Sequence, residues 1–510
     1  MLDNLQAGLA MVLEPSTLLV MLLAGIFGLV IGALPGMTAT LATALLIPFT
    51  FFLDPVPAVA SIITMAAMAI FAGDIPAALL RIPGTPSSAA YTEDAFRMTR
   101  AGKGSLALGA SLVASVIGGL AGSVALIFVA PILGEFALNF TSFEYFWVAV
   151  LGLTAAVIIS RGSLVKGGIA LMIGLLISTV GLDITLGFPR FTFGQESLLP
   201  GVGFIPAMIG LFGISEVLRN VSAPPLTNQR ATLTARKGPY KEVFSNIYRY
   251  KNRVGSGSVI GSVVGALPGA GADIAAWIAY AFTKNSSKEG KKFGAGEGHV
   301  EPIIGASSAN NAALASAFIP TLAFGIPGDT ITAILIGVLL IKGITPGPEL
   351  FTVNTETLYA IYITFIIANL LLIPLGFLLI RLSSQVLRIP RSTLLASIVA
   401  VSILGSFAIN NGYVEIIIML AMGLLGFVLE KVKIPLAPIV LGIVLGPIVE
   451  GNFLRSVLKT HWNLWEFFTR PISATLIVLT ILMLFFTPIK DLIMKKARAK
   501  KEEAKESMDA

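Results

Sequence analysis

The sequence Gly-Ala-Leu-Pro-Gly occurs twice in this chain of 510 residues, at 32–36 and at 265–269, an offset of 233 (265 − 32). A second block, Ile-Pro-Gly, occurs at 82–84 and again at 326–328, an offset of 244 (326 − 82). The first match continues beyond its motif, and the positions that return at the same offset are Ala39, Ala42, Phe49 and Thr50. The chain is therefore predicted to consist of two copies of one unit.

Each of these motifs places Pro and Gly inside strongly apolar sequence. A helix that breaks within a membrane leaves backbone N–H and C=O groups free, and lipid cannot satisfy them, so they must be buried in protein or line a cavity. Paired broken segments at matching positions of two halves are the best sequence indication of a transporter's substrate site. The repeat thus predicts both a membrane fold and the place of its site.

The composition agrees with a membrane fold, since apolar residues make up 55% of the chain, charged residues 12%, and the mean hydropathy is +0.88. Apolar stretches of about 20 residues recur, and each is long enough to cross the ~30 Å hydrocarbon layer. We predict an all-α polytopic membrane protein with roughly 12 transmembrane or half-spanning helices, some broken or re-entrant. The apolar runs are continuous rather than alternating, which excludes a β-barrel.

Several kinds of chemistry are excluded by the residues that are missing. The chain has no cysteine, so it can form neither disulfides nor thiolate metal sites. Its two histidines, His299 and His461, lie in polar loops, which argues against a zinc site or a His-based triad within the membrane. There is no G-x-x-x-x-G-K-[ST] motif, so no ATPase is encoded. We expect no cofactor. We also expect that the energy for the protein's activity comes from an ion gradient or from a partner.

The distribution of basic residues predicts the topology. The first Lys or Arg of the chain is Arg81, so nothing basic precedes the first GALPG, whereas a basic stretch directly precedes the second. By the positive-inside rule, the two units are inverted-topology repeats, and the linker and tail are cytoplasmic. The predicted segments are a first transmembrane repeat at 1–220, a basic linker at 221–254, a second repeat at 255–489 and a basic tail at 490–510.

In every copy the Pro-Gly break is followed by small or hydroxyl residues that open a new helix. Free N–H groups and the positive dipole end of a helix start suit a carboxylate. The alternative is that Pro and Gly are common in membrane helices and that small residues only allow close packing; four related breaks favour a site. The predicted substrate-binding residues are Gly36, Thr38, Thr40, Gly84, Thr85, Ser87, Gly269, Gly271, Asn310, Asn311, Gly328 and Thr330.

Four charged residues in or near apolar runs are further candidates, because a charge at the bilayer centre costs at least ~2.5–3.5 kcal/mol. Asp273 and Asp329 directly follow the two breaks of the second unit and are the predicted ion-coupling pair, able to bind Na⁺ or to carry a proton. Their alternative role is helix N-capping, which is compatible with the first. Arg81 and Asp74 either contact a substrate carboxylate or serve the structure.

Four blocks carry a family resemblance: GALPGMTATLATALLIPF, IPGTPSSAAYTEDAFRMTRAGKGSLALG, GALPGAGADIAAWIAY and ANNAALASAFIPTLAFGIPGDTITAILIGVLLIKGITPGPELF. They resemble the large membrane subunit of the tripartite tricarboxylate transporter family over nearly the whole chain. The resemblance implies a multi-pass permease of the bacterial inner membrane, which works with a small membrane subunit and a periplasmic solute-binding protein. It also implies ion-driven carboxylate import and an elevator-like motion. The chain departs from the family pattern at 71–74 and at Arg81.

The sequence therefore predicts the permease subunit of a binding-protein-dependent secondary transporter, which imports tricarboxylates, dicarboxylates or other carboxylates with Na⁺ or H⁺. The alternative is a stand-alone ion or anion exchanger or channel that needs no periplasmic receptor. An intramembrane enzyme is disfavoured, because no His or Cys lies within the membrane and the two units are alike.

Overall fold

The computed structural model of the chain describes residues 2–159, 163–183, 187–222, 240–269, 271–387 and 391–484. Half of the predicted basic linker, residues 223–239, and the whole tail from 490 lie outside these residues. The described chain is almost entirely helical. Its two strands, β1 (Gly181–Leu182) and β2 (Pro189–Arg190), form one short antiparallel pair.

The helices before the linker are α1 Leu2–Leu13, α2 Pro15–Gly32, α3 Ala39–Thr50, α4 Pro55–Ala72, α5 Asp74–Leu80, α6 Thr92–Arg100, α7 Gly104–Ala137, α8 Ser142–Ile159, α9 Leu164–Ser178, α10 Phe204–Met208 and α11 Ser215–Ser222. A π-helix, Ile209–Ile214, joins the last two, and 3₁₀ turns occupy Ser88–Ala90 and Glu196–Leu198.

The helices after residue 239 are α12 Tyr240–Arg249, α13 Lys251–Gly265, α14 Gly271–Ser286, α15 Val300–Ser316, α16 Phe318–Phe324, α17 Thr330–Ile341, α18 Glu349–Thr352, α19 Thr355–Val386, α20 Arg391–Asn410, α21 Tyr413–Lys431, α22 Ala437–Lys459, α23 Glu466–Thr469 and α24 Pro471–Leu484; α12 and the start of α13 lie within the predicted linker. A 3₁₀ turn at Gly290–Lys292 lies between α14 and α15.

Seven helical segments of the described chain are long and apolar enough to cross a bilayer. They are Pro15–Gly32, Pro55–Leu80, Gly104–Ala137, Phe204–Ser222, Thr355–Ser383, Tyr413–Lys431 and Ala437–Lys459. Shorter apolar helices, among them α3, α9 and α17, accompany them. The all-α polytopic membrane fold expected from the sequence is confirmed, while the inverted relation of the two units and their boundaries stay predictions.

Glycine sets the packing of the first broken helix. A methyl group on Gly28 would lie 2.4 Å from the carbonyl oxygen of Met65, and one on Gly32 would lie 2.4 Å from that of Ala69. α2 and α4 therefore touch backbone to backbone, as small residues four apart allow in membranes. Both residue numbers increase together, so the two helices run parallel.

The same contact occurs in the second half. A methyl group on Gly261 would lie 2.3 Å from the carbonyl oxygen of Ala309, and one on Gly265 would lie 2.4 Å from that of Ala313. These glycines are Gly28 and Gly32 moved by 233 residues, and their partners are Met65 and Ala69 moved by 244. The contact between α13 and α15 is therefore the contact between α2 and α4 repeated at these two sequence offsets. Like α2 and α4, α13 and α15 pack parallel to each other.

α7 joins the two halves. It packs along α15, where a methyl group on Gly118 would lie 2.0 Å from the carbonyl oxygen of Ser308 and one on Gly122 would lie 2.3 Å from that of Ala312. On another side α7 packs against α19. A helix of the first half therefore contacts two helices of the second, and the described chain forms one bundle.

A polar cluster, outside the membrane-spanning segments, ties α6 to the loop before α15. Asp94 is fully buried, and its carboxylate accepts hydrogen bonds from the backbone N–H groups of Gly294 and His299, at 2.8 and 3.1 Å, and from the Tyr280 hydroxyl at 3.1 Å. Burial raises the pKa of Asp94 above its ordinary value, against these hydrogen bonds, which lower it. The cluster also carries an exposed ion pair between Lys103 and Glu297.

Candidate functional site

A cavity of about 410 Å³ lies where the broken segments of the two halves meet. Its lining includes residues that follow each of the four Pro-Gly breaks, together with side chains from α11, α15 and the α21–α22 loop. The predicted site residues that line it are Thr38, Thr40, Thr85, Ser87, Gly269, Gly271, Asp273, Asn310, Asp329 and Thr330. We call this space the central cavity.

The first break brings the start of α3 to the central cavity. Gly36 ends the GALPG motif with φ of 83°, in the left-handed region that glycine adopts without strain. Thr38 then caps α3, because its hydroxyl oxygen accepts the backbone N–H of Leu41 at 3.2 Å. The chain reverses within six residues, so the positive end of α3 lies at the cavity wall.

The third break has the same backbone form. Gly269 has φ of 79° and Gly271 has φ of 64°. α14 begins at Gly271, and Asp273 lies in its first turn. A methyl group on Gly271 would lie 3.1 Å from the Asp329 Cβ atom, so the two second-half breaks touch each other at the cavity.

The fourth break starts α17 with a full capping box. The Asp329 carboxylate accepts the backbone N–H of Thr332 at 2.8 Å, and the Thr332 hydroxyl oxygen accepts the Asp329 N–H at 2.8 Å. The alternative role foreseen for Asp329, N-capping, is therefore present. It leaves the side chain on the cavity wall, where Thr330 also lies.

The second break forms a hydroxyl-rich turn. The Thr85 and Ser87 hydroxyl oxygens are 2.9 Å apart, and the Ser88 hydroxyl donates to the Thr85 carbonyl oxygen at 2.8 Å. Asn310 of α15 donates its amide N–H to the Ser87 hydroxyl at 2.9 Å. The amide oxygen of Asn310 is buried and has no hydrogen-bond partner within the described residues. A buried polar atom of this kind calls for an explanation, and a bound ligand supplies one.

Four predicted substrate-binding residues lie outside the cavity lining. They are Gly36, Gly84, Asn311 and Gly328. A methyl group on Gly84 would lie 2.6 Å from the Gly73 Cα atom, and one on Gly328 would lie 2.4 Å from the Ala317 carbonyl oxygen. These two glycines thus permit close backbone packing, which is the alternative role weighed for them above.

Asp74 and Arg81 also lie outside the lining and do not pair with each other. Asp74 is buried and accepts hydrogen bonds from the Tyr91 hydroxyl at 2.6 Å and from the Ser111 hydroxyl. The Arg81 side chain is 59% exposed and forms an ion pair with Glu93 at 2.8 Å. The structure therefore separates the two residues into a buried hydroxyl-bonded carboxylate and a half-exposed surface guanidinium.

The sequence interpretation missed three charged residues of the lining. Glu216 and Arg219 lie on α11 and pair with each other, and Glu430 near the end of α21 lies 3.5 Å from the Arg219 guanidinium. The one signal in the sequence that could have found two of them is the i, i+3 spacing of Glu216 and Arg219 at the end of an apolar segment. Glu430 is 214 residues further along (430 − 216), so only the fold brings it there.

The lining contains four carboxyl groups and one guanidinium group, so its ionised net charge is −3 (1 − 4). Within the described residues no three His, Asp or Glu side chains are grouped as a metal site. A monovalent cation needs fewer anionic ligands, because carbonyl and hydroxyl oxygens complete its shell. Asp273 and Asp329, with the Thr40 and Thr330 hydroxyls nearby, stay the candidate residues for Na⁺.

Fold and cavity together define a multi-pass α-helical membrane protein whose polar cavity is built on broken helices. The chain belongs to the tripartite tricarboxylate transporter TctA family, whose family model matches residues 18–441. This is a family of transporters, and the resemblance seen in the sequence is confirmed.

Two proteins from Agrobacterium vitis are similar in sequence to this chain. One, described as an uncharacterized 52.8 kDa protein in the TAR-I ttuC′ 3′ region, is 33% identical over 503 residues, which cover 99% of both chains. The other, described as an uncharacterized protein in the TAR-II ttuC′ 3′ region, is 35% identical over 223 residues, or 44% of this chain and 91% of the relative. No solved structure matches the chain.

Proposed function

We propose that this chain is the permease subunit of a secondary transporter that imports organic anions with carboxylate groups. The observation that carries the proposal is the central cavity, because residues behind all four Pro-Gly breaks line it. Helix starts at α3, α14 and α17 direct backbone N–H groups and the positive dipole end towards this space, which suits a carboxylate.

The charge of the cavity supports coupling to a cation. An anion that enters a space with four carboxyl groups and one guanidinium group meets net repulsion unless cations enter with it. Two cations, either Na⁺ beside Asp273 and Asp329 or protons on them, bring the net charge of the lining from −3 to −1 (−3 + 2) and so weaken that repulsion. The substrate carboxylate then binds to the N–H groups and hydroxyls of Thr38, Thr85 and Ser87.

Membership in a tripartite family supports two partners, a small membrane subunit and a periplasmic solute-binding protein, and a place in the bacterial inner membrane. The binding protein would deliver the anion to the face opposite the linker. The alternative is an exchanger or channel with the same cavity. It differs in that its transport would not depend on a periplasmic binding protein.

The test is uptake by proteoliposomes that contain this chain and its small membrane partner. Candidate receptors, radiolabelled carboxylates, and Na⁺ or pH gradients are supplied in turn, with liposomes lacking the chain as the control. We expect accumulation only with a receptor and a cation gradient. Accumulation of the anion without any receptor contradicts the tripartite proposal and favours the stand-alone exchanger, and no uptake under any gradient contradicts both.

A further inference from the structure

A second cavity, of about 540 Å³, adjoins the central one at the end of the molecule where α11 stops, directly before the basic linker. We call it the linker-face cavity. Its charged lining is mainly basic, with Arg219, Lys431 and Lys433 against Glu430. The two cavities share Arg219, Glu430 and Pro435. The boundary between a carboxylate-rich and a lysine-rich space therefore runs through Arg219.

Arg219 is the only cationic side chain in the central cavity lining that the structure describes. Two glutamates hold it, Glu216 one turn earlier on α11 and Glu430 on α21. The pair with Glu430 is long, at 3.5 Å, and one carboxylate oxygen of Glu430 is buried without a hydrogen-bond partner within the described residues. Arg219 itself keeps 48% of its side chain exposed. The contact with Glu430 is thus weak and open to competition.

The neighbouring lysines are suited to an anion with more than one carboxylate. Lys431 lies over the Phe427 ring, with its ammonium 4.2 Å from the ring centre, which holds the charge at the cavity wall. Lys433 lines the same wall two residues on. A dicarboxylate or tricarboxylate at Arg219 would have these ammonium groups for its remaining carboxylates.

We propose that Arg219 binds a carboxylate of the transported anion at the passage between the two cavities, where the substrate replaces Glu430 as its partner. The inference rests on the proposed function. Guanidinium binds carboxylate in a bidentate fork, so the substrate makes a better pair than Glu430 makes in this structure. Exchanging one carboxylate for another keeps the charge of Arg219 neutralised throughout. When the anion leaves, Glu430 pairs with Arg219 again, as it does in this structure.

The test is binding of citrate to the purified chain by isothermal titration calorimetry, with succinate and acetate as anions of lower charge. The variants are Arg219→Gln, Arg219→Lys and Glu430→Gln. The matched control is Arg190→Gln, since Arg190 also lies between two carboxylates, Glu450 at 2.5 Å and Asp183 at 3.4 Å, but lines neither cavity.

We expect the Kd of citrate to rise about tenfold or more in Arg219→Gln, as loss of one charge-assisted hydrogen bond requires. Arg219→Lys should also weaken binding, but less than Arg219→Gln does, because Lys keeps the charge and loses the bidentate fork. Arg190→Gln should match the wild type. Glu430→Gln should bind citrate more tightly, because the competing carboxylate is gone. Because the change in Kd expected for Glu430→Gln is opposite in sign to that for Arg219→Gln, it tests the proposal even if Arg219→Gln does not fold.

Two results would overturn the role of Arg219: an unchanged Kd in Arg219→Gln, or an equal loss in Arg190→Gln, which would make both arginines structural. Weaker binding in Glu430→Gln contradicts the exchange. Failure of the proposed function is distinguished by transport, because proteoliposomes that accumulate no carboxylate while the chain still binds citrate through Arg219 contradict import and leave the binding role intact.

Discussion

The Thr40 and Thr330 hydroxyl oxygens lie 2.9 Å apart, one from each half of the chain, 290 residues distant in sequence. Thr40 is in the first turn of α3 and Thr330 opens α17, so their hydrogen bond joins two helix starts at the wall of the central cavity. A change at either residue therefore reaches the opposite half of the site.

This pair predicts a coupled effect on transport. Thr40→Val and Thr330→Val should each reduce carboxylate uptake by about two- to tenfold, since each leaves one hydroxyl without its partner. The double variant should be no worse than the single ones, because both changes remove the same bond. The control is Thr43→Val, which removes a hydroxyl that donates to the Ala39 carbonyl oxygen within the same helix, α3. Additive losses in the double variant would contradict the coupling.

The predicted inversion of the two units can be tested by single-cysteine labelling, because the chain has no cysteine of its own. Lys241 is exposed on α12, within the predicted linker, and Asn463 is exposed beyond the C-terminal end of α22. An impermeant maleimide added to intact cells should label Asn463→Cys and leave Lys241→Cys unlabelled until the cells are opened. The reverse pattern refutes a cytoplasmic linker.

Asp329→Asn and Asp273→Asn test whether the carboxylates couple ion and substrate. Asn is as good an N-cap as Asp, so the start of α17 should persist while the charge is lost. We expect each variant to fold normally and to lose uptake or its dependence on Na⁺ or pH, with the larger effect at Asp329. The control is Asp54→Asn, an exposed acid before α4. If both variants keep the wild-type dependence of uptake on Na⁺ and pH, the two aspartates act only as helix caps.

The polar cluster at Asp94 should contribute to stability. Asp94→Ala leaves three donors without their acceptor, and the free energy of unfolding should fall by about 1–3 kcal/mol. Lys103→Ala removes an exposed ion pair and should change little. Thermal unfolding in detergent measures both. An equal loss in the two variants contradicts the prediction.

The same residue predicts a pH dependence. Burial raises the pKa of Asp94, so the folded chain binds this proton more readily than the unfolded chain. The stability of the wild type, measured against Asp94→Asn, should therefore rise as the pH is lowered from neutral through the raised pKa, and fall as the pH rises. A difference that moves in the opposite direction, or stays constant, contradicts the raised pKa.

The sequence by itself determined the membrane fold, the family and the four breaks that meet at the cavity, because apolar length and repeated Pro-Gly motifs are properties of local sequence. It predicted Asp329 and Thr85 as site residues because both follow a break directly, and both line the cavity; their roles in ion coupling and substrate binding stay predictions. Only the tertiary structure decided which small residues face the cavity and which pack against backbone, as at Gly84 and Gly328. Only the tertiary structure places Glu430 beside Arg219. Contacts between helices that are distant in sequence depend on packing, which local sequence patterns do not predict.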